Sequence, residues 1–434
     1  MAHHQANRGC LTIKPERKPT CFSRGLAMGI INGSVHISIN MLKTLKVRLY
    51  PNEQQKVLLE KHFGACRWVW NHFLEARTNY YAESKAKGKA QGLNYFKTCK
   101  MLTEIKNENR WLYEISNPSL QQSLRKLDNA FTAFFRKNTD YPNFRSKRDN
   151  QYFVVPSGFK ATQNRLVMPK FLEGIEYRDK SSIPQDIRQI VVTRDADRYC
   201  ASIQYAMDEE LQKGMGTIGI DMGIKHYATT SDGLQVEPLN SMRKHEKRLK
   251  RQQKKLSRKK KGSSNRRKQI ARIRKIHQQI RDARTDFNHK ISSAIAKHYG
   301  TVVVEDLNIQ GMQRNHHIAK SVTDQGWYQF ETMLRYKMDW IKAELIEIGR
   351  FDPSSKMCSK CGNMKHDLKL SDRIYHCNTC GLTIDRDLNA AINILNMGLI
   401  KVGKNVGRGT PEFTPVESAT AAELSKGGLR VATL

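Results

Sequence analysis

Cys358, Cys361, Cys377 and Cys380 form two Cys-x2-Cys pairs with 15 residues between them, and Asp385 and Asp387 follow almost at once. Cysteine pairs at this spacing suit one tetrahedral Zn2+ held by four thiolates. With every position on the ion filled by sulfur, no water site remains, so the zinc is structural rather than catalytic. Gly362 and Gly381 directly follow the second cysteine of each pair. They permit the backbone turn that aims amides at sulfur. His366 and His376 are spare and are not counted as ligands.

The carboxylates form a second constellation. Asp221 ends the run Ile218-Gly219-Ile220, and Glu305 ends Val302-Val303-Val304. An acid after such a run stands at the edge of a buried sheet. Asp387 precedes Leu388, Ala391, Ile392 and Leu395, which share one helical face. That face packs on the sheet and holds Asp387 near the strand ends. Two strand acids and one helix acid then suit a pair of divalent cations about 3.5–4 Å apart, the arrangement that assists phosphodiester hydrolysis. All-oxygen ligands suit Mg2+. Seen alone, Asp387 also reads as a helix N-cap. Asp385 competes with it as third ligand, and the packed helix favours Asp387. Asp306, beside Glu305, reads as structural.

The charge names the partner class. Lys and Arg number 75 against 41 Asp and Glu in 434 residues, a net charge of +34. Polyphosphate is the partner that such an excess fits, because each neutralised phosphate releases counterions. Residues 241–290 hold 21 Lys or Arg against three acids, Glu246, Asp282 and Asp286. Ile270, Ile273, Ile276, Ile280, Phe287 and Ile291 recur there at helical spacing. This predicts two long basic helices broken near Gly262-Ser263-Ser264, not a solvated tail. No run reaches the roughly 20 apolar residues of a membrane span. Five scattered cysteines beside the four clustered ones fit a reducing compartment.

The elements that must position these groups fall into blocks. Residues 1–40 read as a disordered extension. A strand at Leu42–Tyr50 is followed by Asn52 as a helix N-cap and by helical pattern to about Arg136. Short strands follow at Tyr152–Val155, Arg165–Met168, Ile187–Thr193 and Tyr199–Tyr205. Together they predict a small barrel or sheet with a helical insertion. Residues 216–400 read as α/β, with strands Thr217–Asp221 and Thr301–Glu305, a hairpin at Asp232-Gly233, and helices at about 325–348 and 387–397. From Lys401 onward the composition predicts a disordered tail.

Taken together, these motifs resemble the TnpB (OrfB) family of bacterial and archaeal insertion sequences, relatives of the type V CRISPR effector nucleases. The resemblance covers about residues 41–420. Leu49-Tyr50-Pro51, Gly64-Ala65-Cys66-Arg67 and Trp70-Asn71 resemble its N-terminal block. Leu124 to Phe131, Phe134-Phe135 and Tyr141-Pro142-Asn143-Phe144 resemble the next. Gly219-Ile220-Asp221-Met222-Gly223, Val304-Glu305-Asp306-Leu307 and Asp385-Arg386-Asp387-Leu388-Asn389 resemble the three RuvC motifs. Gly409-Thr410-Pro411-Glu412 with Thr414-Pro415 resembles the family tail.

The resemblance implies a multi-domain α/β plus β-barrel protein. Its nuclease is RNase H-like (RuvC) with an inserted zinc ribbon, and an N-terminal wedge barrel carries a helical insertion. The expected layout is an extension at 1–40, the wedge at 41–55 and 141–213, and the recognition helices at 56–140. The nuclease spans 214–354 with a basic hairpin at 240–299. A target-binding ribbon at 355–383, a nuclease helix at 384–400 and a tail at 401–434 complete it. The implied activity is RNA-guided cutting of double-stranded DNA beside a short flanking motif. Asp221, Glu305 and Asp387 would hold two Mg2+, and a guide RNA from the element end would choose the target. No small-molecule substrate is expected. A cytoplasmic, nucleoid-associated setting in a prokaryotic host is. Three other readings remain: a guided DNA-binding repressor, whose mark would be loss of an acid, a DNA-joining transposase with an RNase H-like site, and a plain basic RNA-binding protein, which would not need the acids at strand ends. Family members begin near Met41, which leaves residues 1–40 outside the resemblance.

Overall fold

The computed structural model describes residues 25–31, 34–178, 183–184, 186–207, 214–369, 371–404 and 415–433. The chain divides into two compact units, Met1–Asp208 and Glu209–Leu434.

In the first unit, β1 (Gly25–Ile31) and β2 (Ser34–Tyr50) lead to α1 (Glu53–Ala86), α2 (Tyr95–Glu108), a 3-10 turn at Arg110–Glu114 and α3 (Asn117–Phe135). Asn52 starts α1 through a capping box. Its Oδ1 accepts from the Gln55 amide at 2.8 Å, and Gln55 Oε1 accepts from the Asn52 amide at 3.1 Å. Then come β3 (Gln151–Val155), β4 (Lys160–Ala161), β5 (Arg165–Met168), β6 (Phe171–Tyr177), β7 (Ile187–Asp195) and β8 (Arg198–Met207). These strands form an antiparallel sheet in the order β3-β7-β8-β2-β6-β5-β4, with β1 paired to β2. One core joins the sheet's Val47, Ile190 and Ile203 to Leu59, Phe63 and Phe73 of α1 and to Leu120 and Leu124 of α3. The helical block is therefore inserted between strands of one sheet.

The second unit holds β9 (Gly216–Asp221), β10 (Ala228–Thr230), β11 (Leu234–Val236), α4 (Ser241–Ser257), α5 (Ser264–His298) and β12 (Tyr299–Glu305). It continues with α6 (Ile309–Arg314), α7 (Ala319–Gln325), α8 (Trp327–Trp340), β13 (Glu344–Ile348), β14 (Ile374–His376) and β15 (Thr383–Asp385). Last come α9 (Arg386–Lys401), α10 (Pro415–Lys426) and β16 (Val431–Thr433). The main sheet runs β13-β12-β9-β10-β11-β16, with β12 parallel to both β9 and β13. Side chains alternate across it. Ile218, Ile220, Val302 and Val304 face the core built with α5 and α8, while Val303 packs with Ile394 and Leu395 of α9 on the other face. This is a mixed sheet with helices on both sides. No helix among the described residues is long and apolar enough to cross a membrane.

Three expectations need correction. The extension expected to be disordered contains the β1–β2 hairpin, in which Gly25–Ile31 pairs with residues 34–40. Val35, Ile37 and Ile39 alternate there with His36, Ser38 and Asn40, a two-residue period hidden in a polar, Gly-rich stretch. Residues 1–24 lie outside the described residues. The helix expected to reach residue 348 stops at Trp340. Lys342 takes a left-handed conformation (φ 51°), and β13 begins at Glu344, with no Gly or Pro to announce the break. The expected disordered tail contains α10 and β16. Leu424 is buried, and β16 extends the sheet at β11. The tail motif at Gly409–Thr414 lies outside the described residues.

Candidate active site

Asp221 and Glu305 end adjacent parallel strands. Ile220 pairs with Val304, so the two acids follow at the same level of β9 and β12. This is the carboxyl edge of the parallel strands, where α/β folds place ligands. Both residues are half-buried.

α9 brings the third acid. Asp385 Oδ1 accepts from the Asp387 amide at 2.9 Å and from the Leu388 amide at 3.1 Å, so Asp385 is the N-cap. Asp387 is thereby left in the first turn. Two glycines let the helix lie close on the sheet. A Cβ on Gly219 would come within 2.3 Å of the Ala391 carbonyl and 2.7 Å of the Leu395 amide. One on Gly398 would come within 2.3 Å of Val303 Cγ1.

The acids act on one another. Burial pushes Asp221 up to about 7, with the charges of Asp387, Glu305 and Asp385 adding to it and Arg386 opposing. Glu305 is also raised, by burial first and then by Asp352 and Asp306. The fields of both α9 acids thus converge on Asp221. The trio is more open than a single-ion shell. Among the described residues, the four cysteines are the only group of three or more metal-ligating side chains whose atoms all lie within 4.8 Å. Asp306 pairs with Arg350 at 3.2 Å.

The cysteine set is compact. Cys358 and Cys380 Sγ are 3.6 Å apart, as are Cys361 and Cys377 Sγ. Four sulfurs about 2.3 Å from one tetrahedral ion lie about 3.8 Å apart, so the donor set fits zinc. The two knuckles repeat each other. Gly362 N donates to Cys358 O and Gly381 N to Cys377 O, both at 2.9 Å. Amides of Lys360 and Cys361 point at the Cys358 sulfur, and those of Thr379 and Cys380 at Cys377. Gly362 and Gly381 have φ of 78° and 70° with open space around a Cβ, so conformation rather than crowding selects glycine.

Two asparagines, whose polarity gave no hint of burial in the sequence, join this element to α9. Asn389 Nδ2 donates to the Met357 carbonyl at 2.7 Å, and its Oδ1 accepts from the Ser359 amide at 3.0 Å. Asn393 Nδ2 donates to Ser354 O at 2.7 Å and Met357 O at 2.6 Å. Both are at most 1% exposed. On the far side, Ile374 of β14 pairs with Asp385 of β15, and the Arg386 amide donates to Arg373 O. The cysteine element therefore grips α9 at its start and one turn further in.

The basic segment is the antiparallel pair α4–α5, zipped by Leu249, Ile276 and Ile280. The end of α5 enters the core of the second unit through Phe287, Ile291 and Ile295. The hairpin is anchored at its other root by Asp324, whose carboxylate accepts from the Met242 amide at 2.9 and 3.0 Å. Glu246 binds Lys320 at 2.5 Å and Lys250 at 3.0 Å.

Three family profiles match the chain: "Probable transposase" over residues 197–316, "Cas12f1-like, TNB domain" over 327–394, and "Helix-turn-helix domain" over 41–86. In the structure the last segment is the end of β2 followed by α1. A Streptomyces pristinaespiralis protein is 34% identical over 366 residues, covering 82% of this chain and 89% of its own. An Escherichia coli K12 protein, InsQ, is 32% identical over 406 residues, covering 88% and 99%. Both bear the name "Putative RNA-guided DNA endonuclease". The cryo-EM structure of a Cas12f1–sgRNA–target DNA complex overlaps with a TM-score of 0.47 at 13% identity, covering 82% of this chain and 99% of that one.

Proposed function

Because the chain belongs to the TnpB-like (OrfB) family of RNA-guided DNA endonucleases, we propose that it cuts double-stranded DNA selected by a bound guide RNA. Asp221, Glu305 and Asp387 hold two Mg2+ in this reading, in an RNase H-like, RuvC-type site. The observation that carries it is the placement of Asp221 and Glu305 at the same level of β9 and β12, with Asp387 in the first turn of the helix packed on those strands. Burial first, and then the charges of Asp387 and Glu305, raise Asp221 to about 7. Such mutual repulsion costs stability unless cations answer it. When bound, Mg2+ supplies Lewis-acid stabilisation of the charge that develops on the phosphate oxygens. The chain's own part is placement. Asp385 caps α9, which leaves the Asp387 carboxylate free, and Gly219 and Gly398 hold the helix against the strands.

The remaining parts follow the same reading. The sheet of the first unit with its helices at 56–140 is the wedge and recognition part, beside which a short flanking motif is read. The four cysteines hold one structural zinc in a ribbon that meets the target strand. The α4–α5 pair lies along phosphate backbone, its charge favouring RNA and DNA alike.

The test is purification from cells that contain the flanking DNA, sequencing of the RNA that co-purifies, and cleavage of a matching target in Mg2+. Asp221→Ala should bind the RNA and leave the DNA whole. RNA-free protein that still cuts or joins DNA would overturn the guided reading, and full cutting by Asp221→Ala would overturn the site.

A further inference from the structure

A cavity of about 440 Å3 opens in the first unit between α1 and the 3-10 turn at Arg110–Glu114. Asp221, Glu305, Asp387 and the four clustered cysteines all belong to the second unit, so this cavity is no part of their site. Its size lies in the range of about 300–1,000 Å3 typical of small-ligand pockets, room for one nucleotide. Two indoles wall it. Trp68 lies edge-on to Trp111 at 5.6 Å between ring centroids and is stacked on His72 at 4.8 Å. Trp111 is 43% exposed, although Leu112 of the same turn and Ile115 just after it are buried.

Charged groups ring the aromatic walls. Arg67 is steadied by the Gln151 side chain, and Lys61 pairs with Glu114 at 2.5 Å. Each side chain of that pair is 52% exposed. An ion pair so open to water is weak, so its ammonium is available to a phosphate. The freed Glu114 carboxylate then suits an exocyclic amino group on a base edge.

The floor is Gly64, in the middle of α1. Its φ is not positive, and a Cβ there would meet nothing nearer than Arg67 Nη2 at 4.0 Å. Neither conformation nor crowding asks for glycine, and glycine weakens a helix interior. What glycine does at this position is leave the cavity open.

We infer that this cavity holds one unpaired nucleotide of the guide RNA, its base against Trp68 and Trp111 and its phosphate on Lys61 and Arg67. Aromatic faces accept any base by stacking, and the basic rim supplies the complementary charge. Guide RNA is favoured over target DNA because its unpaired bases are present in the resident complex, whereas a DNA duplex must first be opened. The inference rests on the guided reading above.

The test uses the protein–guide RNA complex as purified, with the co-purifying RNA then transcribed as the binding probe. Ultraviolet crosslinking and mass spectrometry should give RNA adducts on peptides containing Trp68 or Trp111. Trp111→Ala should weaken binding of that RNA about tenfold, the scale of one lost stacking contact. Gly64→Leu should weaken it similarly by filling the cavity while the melting temperature holds or rises. Wild-type protein that carries RNA, with both variants binding it within about twofold and no adducts at these peptides, would overturn the inference alone. Adducts to target DNA in place of RNA would do the same. Wild-type protein without RNA would defeat the guided reading itself, and this inference with it.

Discussion

Asn389 Oδ1 accepts the Ser359 amide at 3.0 Å, which ties the nuclease helix to the first cysteine knuckle by a fully buried bond. The same side chain donates to Met357 O, so one residue satisfies both a donor and an acceptor of the knuckle backbone. Asn389 stands two residues after Asp387, and what moves the knuckle moves that carboxylate.

Asn389→Ala should therefore lower stability by about 1–3 kcal/mol, since it leaves the buried Ser359 N–H without its partner and the Met357 carbonyl with Asn393 alone. Cleavage should fall further than the unfolded fraction explains, while zinc content stays at one per chain. Thermal melting, metal analysis and cleavage on one preparation separate these effects. A stable, fully active variant would show that the joint does not position Asp387.

Removing zinc should loosen the same joint from the other side. A strong chelator is expected to release one zinc per chain, lower the melting temperature and abolish cleavage. Cys377→Ser should reproduce the loss. Unchanged stability in the metal-free protein would remove the structural role.

Asp221→Asn should leave guide RNA binding intact and reduce cleavage by about a thousandfold or more, as loss of a catalytic carboxylate does. It should also stabilise the metal-free protein. Asp221 is raised from 3.8 to about 7 in the fold, so the native state holds its proton more tightly than the unfolded chain. That contribution is full below pH 3.8 and is lost as pH rises through about 7. Without metal, wild-type stability should fall across that window by an amount on the order of a few kcal/mol, and the Asn variant should fall less. Melting curves in chelator from pH 4 to pH 8 check both the sign and the window.

Gly219→Ala places a methyl 2.3 Å from the Ala391 carbonyl, which is helix backbone and does not yield as a side-chain tip does. The expected cost is about 1–3 kcal/mol, the scale of core overpacking, with cleavage lost as α9 shifts. Gly362→Ala is the contrast, since it meets no atom and should cost only the strain of its positive φ. Equal losses of cleavage in the two would argue against close approach as the reason for Gly219.

The parts of this molecule legible in its sequence are those that local chemistry determines. Cysteine spacing marked the knuckles, and Ile218–Asp221 and Val302–Glu305 read as strands because an unbroken small or apolar run ends in an acid. Which of the two α9 acids caps the helix was not legible: Asp385 is the N-cap, and Asp387 stands in the first turn. What stayed hidden depends on partners distant in the chain. β16 is three residues long and is a strand because β11 offers it an edge. β6 shows no clear alternation in the sequence, because Gly174, at φ 71°, interrupts it. Asn389 and Asn393 look like surface residues until the cysteine element covers them.

The two strand-end acids are neighbours in the sheet, yet the whole α4–α5 pair separates them along the chain, and the cysteine element separates both from Asp387. No contiguous fragment shorter than residues 221–387 contains all three carboxylates. Closing loops of that length precedes the parallel pairing of β9 with β12, so the repelling acids meet late in folding. A chain cut short between α5 and α9 would therefore keep the basic helical pair and lack the third carboxylate.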